Sequence, residues 1–456
     1  MDTRDTSRRT FLKALSGAAV AAATPLRALT AMAATAAPND GEFFVFIHAA
    51  GGWDVTLWAD PRNEKKGLVA PASTENTDTS QVRHWKDAPL DGATRTFEPI
   101  RAPRGGQVFG PGIGDLLDMA DRLTVVNGLS MNTVSHPDGT AFSATGRHLV
   151  GGRAPASSID TMVANELGRE QTFPAVSVQY PSSYVGDDLD RRCVPLVVGS
   201  IGTISRTLSR SGIYDSEDDR EAVTALLGKE ARSLAARSEY PDVMQGMALQ
   251  YDSLRRMLGS RLQEVFSADG LKKAHPEFKY AARFHGASCV NAAFAVEAMK
   301  RNVVRCVSFA CGGFDTHASN YRFQAQTQQE MFDMIAALLR TLDATPHPTR
   351  ASAKLSDHTH ILVVSDFCRT PQVNIGGGRD HYPNNSALVV SPRFRGGQVF
   401  GKSDPEQLLP LKAKRFSDGE RAIAPPDLLA TFLAGFGVNA RKYMRNGEPV
   451  PKLLKS

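Results

Sequence analysis

The stretch FFVFIHAAGGWD, residues 43–54, decides the expected fold of this chain. Its first seven residues are apolar except for His48, which predicts a strand buried on both faces, and His48 is interpreted as structural. Two glycines then allow a tight turn, and Asp54 follows where the strand ends. Because open α/β sheets gather their sites at the carboxyl ends of parallel strands, this stretch predicts both the fold and the place of a site.

Three further patches carry acids, and two of them also carry histidines. They are GGFDTH with Asp315 and His317, VVSD ending at Asp366, and GGGRDH with Asp380 and His381. Carboxylates mixed with imidazoles suit zinc, manganese or magnesium more than copper or an iron–sulfur cluster, and carboxylates also suit calcium. We therefore expect a divalent metal site at this edge of the sheet.

The patches also have interpretations that involve no ligand. Asp54 either binds the ion or caps the helix that follows it. Asp315 and His317, two residues apart on an extended segment, either share one ion or are solvated loop residues. Arg369, shortly after Asp366, either forms a structural pair with that acid or receives an anionic substrate.

Short apolar runs recur along the chain with helical segments between them. The runs are Phe43 to His48, Leu123 to Val126, Ala175 to Val178, Pro195 to Val198, Val303 to Phe309, Ile361 to Val364 and Ala387 to Val390. Runs of this length, rich in Val and Ile, predict mainly parallel strands covered by helices on both sides. The expected fold is an α/β three-layer α/β/α sandwich, formed by one domain over residues 37–456 with a helical insertion at about 205–276.

The amino terminus predicts export. Ser7-Arg8-Arg9-Thr10-Phe11-Leu12-Lys13, followed by an alanine-rich stretch, is typical of a twin-arginine signal peptide over residues 1–36. We therefore expect the twin-arginine export machinery as a partner and a periplasmic or extracellular mature protein. No later apolar stretch approaches the roughly 18 residues that a bilayer-spanning helix needs, so no transmembrane anchor is expected in the mature chain.

Charge argues against a nucleic-acid partner. The 456 residues carry a formal net charge of +5, and residues 1–36 hold five basic and two acidic groups, so their removal leaves +2. No dense block of Lys and Arg follows the signal segment. The mature chain is nearly neutral, with 42% hydrophobic and 22% charged residues over the whole sequence, which is ordinary globular composition.

One more segment, residues 132–147, follows the strand-like run LTVVNGL. The turn at Ser135 and His136 should lead into a short helix, whose first N–H groups favour anions. A nucleophile or an anion site would fit there.

These motifs resemble a known family. The twin-arginine signal, GGWD, the Ser-His pair at 135–136, GGFDTH, SDFCR and GRDH are similar to the bacterial family called domain of unknown function 1501, within the alkaline phosphatase and sulfatase superfamily. The resemblance implies a parallel sheet between helices with one or two divalent metals at its carboxyl edge. It also implies a small anionic ester as substrate.

The resemblance assigns roles position by position. Asp54 matches the amino-terminal metal acid and Asp366 the acid after the later strand. Asp315, His317 and His381 are plausible ligands of a second ion, and Asp380 lies beside them.

The chain departs from the superfamily at the position of the nucleophile. Counting ten residues back from Gly146 leads to His136, where a Ser, Thr or modified Cys is usual. His136 could ligate metal, act as nucleophile or general acid, or be a structural histidine in a chain that has lost catalysis.

The function expected from this resemblance is that of an exported metal-dependent hydrolase of phosphate or sulfate esters. Attack would come from Ser135 assisted by His136, or from water activated by the metal, with Arg369 holding the ester. The alternative is a non-catalytic exported binding or assembly protein that keeps the same fold.

Overall fold

The computed structural model describes residues 41–62, 78–88, 96–186, 189–208, 216–237 and 266–455. The predicted signal peptide, residues 1–36, and much of the predicted helical insertion lie outside these ranges. Both remain predictions.

Eight strands form the central sheet. They are β1 (Phe43–Ala49), β2 (Leu123–Asn127), β3 (Phe173–Val178), β4 (Leu196–Val198), β5 (Val304–Cys311), β6 (Thr359–Ser365), β7 (Ser386–Val390) and β8 (Gln398–Phe400). All seven runs predicted from the sequence are strands of this sheet. The strand that sequence reasoning missed is β8, which is only three residues long and partly polar.

The strand order is β8-β2-β7-β6-β1-β5-β3-β4. β1 lies between β5 and β6 and runs parallel to both, so that His48 stands opposite Ala310 on one side and Val364 on the other. β7 runs antiparallel to its two neighbours, β2 and β6, while the remaining pairings are parallel. The sheet is therefore mainly parallel, with one reversed strand near its middle.

Two hydrophobic cores lie on opposite faces of the sheet. Along β1, Phe43, Val45 and Ile47 pack into one core, and Phe44 and Phe46 pack into the other. This alternation follows from the period of two in a strand, and both faces are buried because helices cover each of them. The predicted three-layer α/β/α sandwich is confirmed.

Eight α-helices are described. They are α1 (His136–Thr145), α2 (Ile159–Leu167), α3 (Ile201–Leu208), α4 (Glu217–Ala235), α5 (Ala268–Ala274), α6 (Gly286–Lys300), α7 (Asn320–Ala344) and α8 (Pro425–Gly435). Short 3-10 helices occur at Val55–Leu57, Pro111–Arg122, Arg191–Cys193, Leu355–His358, Ala440–Lys442 and Pro451–Leu453. Within the described ranges, no helix is long and apolar enough to span a membrane.

Three short antiparallel pairs lie outside the sheet. They join Ile100–Arg101 to Val108–Phe109, Cys368–Arg369 to His381–Tyr382, and Lys414–Phe416 to Gly419–Arg421. The second pair matters for the site because it places His381 opposite Arg369, just beyond the carboxyl end of β6.

Candidate metal centre

Four side chains meet at the carboxyl edge of the sheet. Asp315 and His317 follow β5, and His136 begins α1 a few residues after β2. His381 precedes β7, and because β7 is antiparallel, its amino end lies at the same edge as the carboxyl ends of the others. Sequence reasoning placed Asp315, His317 and His381 together, and the structure does so.

The three histidines gather around one carboxylate oxygen. The Nε2 atoms of His136 and His381 each lie 3.4 Å from Asp315 Oδ1, and that of His317 lies 3.1 Å from it. The Nε2 atoms of His317 and His381 are 3.0 Å apart. The ligand atoms of His136, Asp315 and His381 thus lie within 4.8 Å of one another, and His317 Nε2 lies beside two of them.

Each of the three imidazoles points its other ring nitrogen at an oxygen acceptor. The contacts are His136 Nδ1 to Asp366 Oδ2 at 2.6 Å, His317 Nδ1 to Asp380 Oδ1 at 2.7 Å, and His381 Nδ1 to the carbonyl oxygen of Val134 at 2.8 Å. A carbonyl or an ionised carboxylate only accepts, so each Nδ1 must carry the proton. In a neutral ring the inward-facing Nε2 then carries a lone pair.

This arrangement fits a cation. Two facing lone pairs 3.0 Å apart on His317 and His381 repel each other unless a proton or an ion lies between them. His136 Nε2 is buried and makes no hydrogen bond. Two ligand atoms each about 2.0–2.2 Å from a tetrahedral zinc ion are roughly 3.4 Å apart, which is close to the distances found here. Among the described residues, His136, Asp315 and His381 are the one group of three or more candidate ligands whose atoms all lie within 4.8 Å of each other.

Asp366, which the sequence predicted as a ligand, contacts one member of this group, His136. Its Oδ1 lies 2.6 Å from His48 Nε2 and accepts from Thr140 Oγ1, while Oδ2 accepts from the Gly51 amide and contacts His136. Burial alone would raise the pKa of the Asp366 carboxyl, but the two histidines outweigh burial and lower that pKa well below its ordinary value. The ionised carboxylate fixes the tautomer of His136, as carboxylates that accept from metal-ligating histidines do.

Sequence reasoning missed the part that His48 has in this arrangement. The signal for it is one polar residue in an otherwise apolar strand, and such a signal does not identify the partner. The structure shows the partner to be Asp366, at the end of the neighbouring strand.

Of the two interpretations of Asp54, metal ligand or helix cap, the structure shows the helix cap. The Asp54 side chain caps the 3-10 helix Val55–Leu57 by accepting from the Thr56 amide, and it accepts from Asn320 Nδ2 at 2.7 Å. Arg379 Nη1 lies 3.4 Å from Asp54 Oδ2, and both side chains are fully buried. The structure thus uses Asp54 as a helix cap and ion-pair partner and does not place it with the histidines.

Arg369 is fully buried and is engaged by the protein itself. Its guanidinium donates to the carbonyl oxygens of Gly51, Gly52 and Arg379 and, through Nη2 at 2.6 Å, to Asp315 Oδ1. Burial would raise the pKa of the Asp315 carboxyl, but the hydrogen bond and charge of Arg369 lower it below its ordinary value. Arg369 thus pairs with Asp315 instead of the predicted Asp366, and it has no exposed surface to offer an ester.

Two predicted site residues lie at the margin of the group. Asp380 is exposed and holds His317, so it acts on a candidate ligand without joining the inward-facing atoms. Ser135 is exposed at the N-cap of α1, and its side chain makes no capping hydrogen bond. The predicted short helix after Ser135 is α1.

Among curated proteins, none matches this chain. Three solved structures show remote likenesses. The chain matches "Crystal structure of Ps i-CgsB in complex with k-i-k-neocarrahexaose" at 10% identity and a TM-score of 0.37, over 90% of this chain and 75% of that one. It matches a structure from work on the metabolism of multiple glycosaminoglycans by Bacteroides thetaiotaomicron at 8% identity and a TM-score of 0.33, over 88% of this chain and 73% of that one.

A third structure, in complex with its substrate D-glucosamine-2-N,6-O-disulfate, matches at 9% identity and a TM-score of 0.30, over 91% of this chain and 83% of that one. These scores are too low to transfer an activity or a substrate. A family model, described as "Protein of unknown function (DUF1501)", matches residues 43–452. This match covers nearly all of the described chain, including every residue of the candidate metal centre, and the protein therefore belongs to the DUF1501 family.

Proposed function

We propose that this protein is an exported hydrolase of phosphate or sulfate esters that depends on one divalent metal ion. The observation that supports the proposal is the convergence of three imidazole Nε2 atoms on Asp315 Oδ1. Three imidazoles and one carboxylate suit a first-row ion such as zinc or manganese better than magnesium or calcium, which prefer oxygen ligands.

A bound divalent ion supplies Lewis acidity, which neutralises an anionic ester and lowers the pKa of water at the site. The chain's own groups prepare that position. Asp366 and Asp380 fix the ring orientation of His136 and His317, and Arg369 fixes Asp315. α1 begins at His136, so the positive end of its dipole favours an anion at the same place.

The position of His136 favours water as the attacking group. One of its nitrogens faces Asp366 and the other faces the candidate ligands, so neither is left to attack phosphorus or sulfur. Ser135, with its exposed hydroxyl beside this histidine, is the alternative nucleophile. Export through the twin-arginine pathway to the periplasm or the exterior is part of the same proposal.

A second candidate function is that of a non-catalytic exported binding protein that uses the same ion. Two observations favour it: the usual nucleophile position holds His136, and Arg369 is buried against the backbone. The two candidates share the metal and differ in turnover.

Metal content tests what both candidates share. We expect purified wild-type protein to bind about one equivalent of zinc or manganese by elemental analysis, and His381→Ala to lose it. His84→Ala is the matched control, since the side chain of His84 hydrogen-bonds only to the Gly114 carbonyl among the described residues. Wild-type protein without a divalent ion, even after incubation with zinc and manganese, would refute the proposed centre.

Measuring ester hydrolysis distinguishes the two candidate functions. Metal-loaded wild-type protein should hydrolyse at least one member of a panel of aryl phosphates, phosphodiesters and aryl sulfates, and His381→Ala should not. Activity that persists in Ser135→Ala would assign the attack to water, and its loss with metal retained would assign it to Ser135. If metal-loaded protein binds phosphate or sulfate but turns over no ester, the binding function is the correct one.

A further inference from the structure

A buried ion pair lies behind the candidate metal centre. The side chains of Asp54 and Arg379 are fully buried, with Arg379 Nη1 3.4 Å from Asp54 Oδ2. Arg379 Nη1 also lies 3.2 Å from Thr56 Oγ1, and Nη2 lies 3.3 Å from the Tyr321 hydroxyl. Because a buried charge is costly unless it is paired, the two residues hold each other in place.

The pair reaches the segment that carries His381. Arg379 directly precedes Asp380 and His381 in the chain. Its backbone amide donates to the Thr316 carbonyl at 3.1 Å, and its carbonyl accepts from Arg369 Nη1 at 3.1 Å. The side chain of Arg379 thus fixes the start of a segment that contains one candidate ligand and the carboxylate that orients another.

The pair reaches the segment of Asp315 and His317 as well. Asp54 Oδ2 accepts from Asn320 Nδ2 at 2.7 Å, and Asn320 Oδ1 accepts from Thr316 Oγ1 at 2.7 Å. Thr316 lies between Asp315 and His317 in sequence. One carboxylate therefore connects by short hydrogen-bonded paths to both segments that bring ligands to the ion.

We infer that Asp54 and Arg379 are positioning residues of the metal centre, which set the spacing between the Asp315–His317 segment and the His381 segment without touching the ion. The inference rests on the proposed metal site. It follows that loss of the Asp54 charge weakens metal binding and changes the geometry at the ion, because ligand atoms about 3.4 Å apart tolerate little displacement around a tetrahedral ion.

The test compares two buried carboxylates in the intact mature chain. Asp54→Asn removes one, and Asp427→Asn is the control. Asp427 is equally buried and pairs with Arg421, and its carboxylate also accepts from the backbone amides of Ala424 and Glu448. Zn²⁺ affinity is measured by competition with a chelating dye, the geometry by the absorption spectrum of the Co²⁺-substituted protein, and stability by urea unfolding without metal.

We expect Asp54→Asn to bind Zn²⁺ roughly tenfold more weakly, in the range known for outer-shell partners of metal ligands, with an altered Co²⁺ spectrum. Asp427→Asn should lose stability and keep wild-type affinity and spectrum. If Asp54→Asn does not fold, the double variant Asp54→Asn/Arg379→Gln, which leaves no unpaired buried charge, takes its place with the same expectation.

Three results would overturn the inference. Zn²⁺ affinity and a Co²⁺ spectrum equal to wild type in Asp54→Asn or the double variant would show that the pair is only structural. An equal loss of Zn²⁺ affinity in Asp427→Asn would show that both substitutions weaken metal binding through a general loss of stability. Wild-type protein that binds no Zn²⁺ would remove the proposed centre itself, a result distinct from the other two because it appears before any substitution.

Discussion

At the scale of single residues, one carboxylate determines which nitrogen of His136 faces the other candidate ligands. Asp366 accepts from His136 Nδ1 and from the Gly51 amide and Thr140 hydroxyl, and it pairs with the buried His48. The three hydrogen bonds and the contact with His48 favour the ionised form of this carboxylate. Its contribution to the site is the orientation of a ligand.

Asp366→Asn should therefore weaken metal binding while leaving the candidate ligands in place. The amide has one acceptor atom in place of two, so it cannot accept from both His136 and His48. We expect about 10- to 100-fold weaker Zn²⁺ binding in a competition assay, as for other outer-shell substitutions. Asp343→Asn, which removes an exposed carboxylate paired with Arg122, should bind Zn²⁺ as wild type does. Complete loss of Zn²⁺ in Asp366→Asn would instead make Asp366 a direct ligand, as the sequence suggested.

Sequence reasoning located the candidate ligands better than it assigned their roles. Asp315, His317 and His381 were predicted as ligands because they follow glycines near strand ends, and they do converge. Asp54 follows glycines in the same way, yet it pairs with Arg379, 325 residues away in sequence. Nothing near either residue in the sequence indicates that Arg379 is buried, so the pairing could not be predicted.

At the scale of elements, the site depends on how closely α1 approaches the end of β6. Gly139, in the first turn of α1, faces the backbone of Asp366, and a Cβ atom there would lie 2.4 Å from the Asp366 carbonyl oxygen. That distance is too short for any residue but glycine. The close approach allows His136, one turn away on the same helix, to reach Asp366 and the other candidate ligands.

Gly139→Ala should harm both stability and metal binding, although alanine favours helices over glycine by about 1 kcal/mol. The clash with the Asp366 backbone should cost about 1–3 kcal/mol, as overpacking typically does, and should move His136 away from Asp315. Urea unfolding and Zn²⁺ titration measure the two effects. Gly199→Ala is the control, since a Cβ atom there would meet nothing within 4 Å. A Gly139→Ala protein more stable than wild type would show that α1 can shift freely.

The direction of β7 is the element-level feature that the sequence did not reveal. Residues Ala387 to Val390 form an apolar run in the sequence. Buried parallel and buried antiparallel strands can both have such a run, so the run does not indicate the direction of the strand. Its reversal brings His381, which precedes the strand, to the edge where Asp315 follows β5. The direction of β7 thus explains how His381, which precedes a strand, comes to lie beside Asp315, which follows one.

At the scale of the whole molecule, the two edges of the sheet carry different polar clusters. The candidate metal centre lies at the carboxyl edge, while Glu42, just before β1, is buried at the opposite edge. Its carboxylate lies 2.7 Å from His360 Nε2, 3.0 Å from His358 Nδ1 and 3.3 Å from Arg393 Nη2. These contacts join the amino ends of β1 and β6 to the segment after β7, so this cluster contributes to stability without touching the proposed centre.

The Glu42 cluster should make the fold sensitive to acid. Burial would raise the pKa of Glu42, but hydrogen bonds from His360 and His358 outweigh it and lower that pKa to about 2. Since the folded pKa lies below that of the unfolded chain, the stabilisation is complete above about pH 5 and is lost as the pH falls toward 2. The difference between the two pKa values corresponds to about 3 kcal/mol at neutral pH.

Glu42→Gln should therefore be about 3 kcal/mol less stable than wild type at neutral pH, and the difference should shrink steadily below about pH 4.5. Urea unfolding of both proteins across this range, with a chelator present so that metal loss does not contribute, measures it. Asp118→Asn, which removes an exposed carboxylate, should follow the wild-type curve. A stability difference between Glu42→Gln and wild type that stays constant down to pH 3 would mean that the Glu42 side chain stabilises the fold by packing and not by its charge.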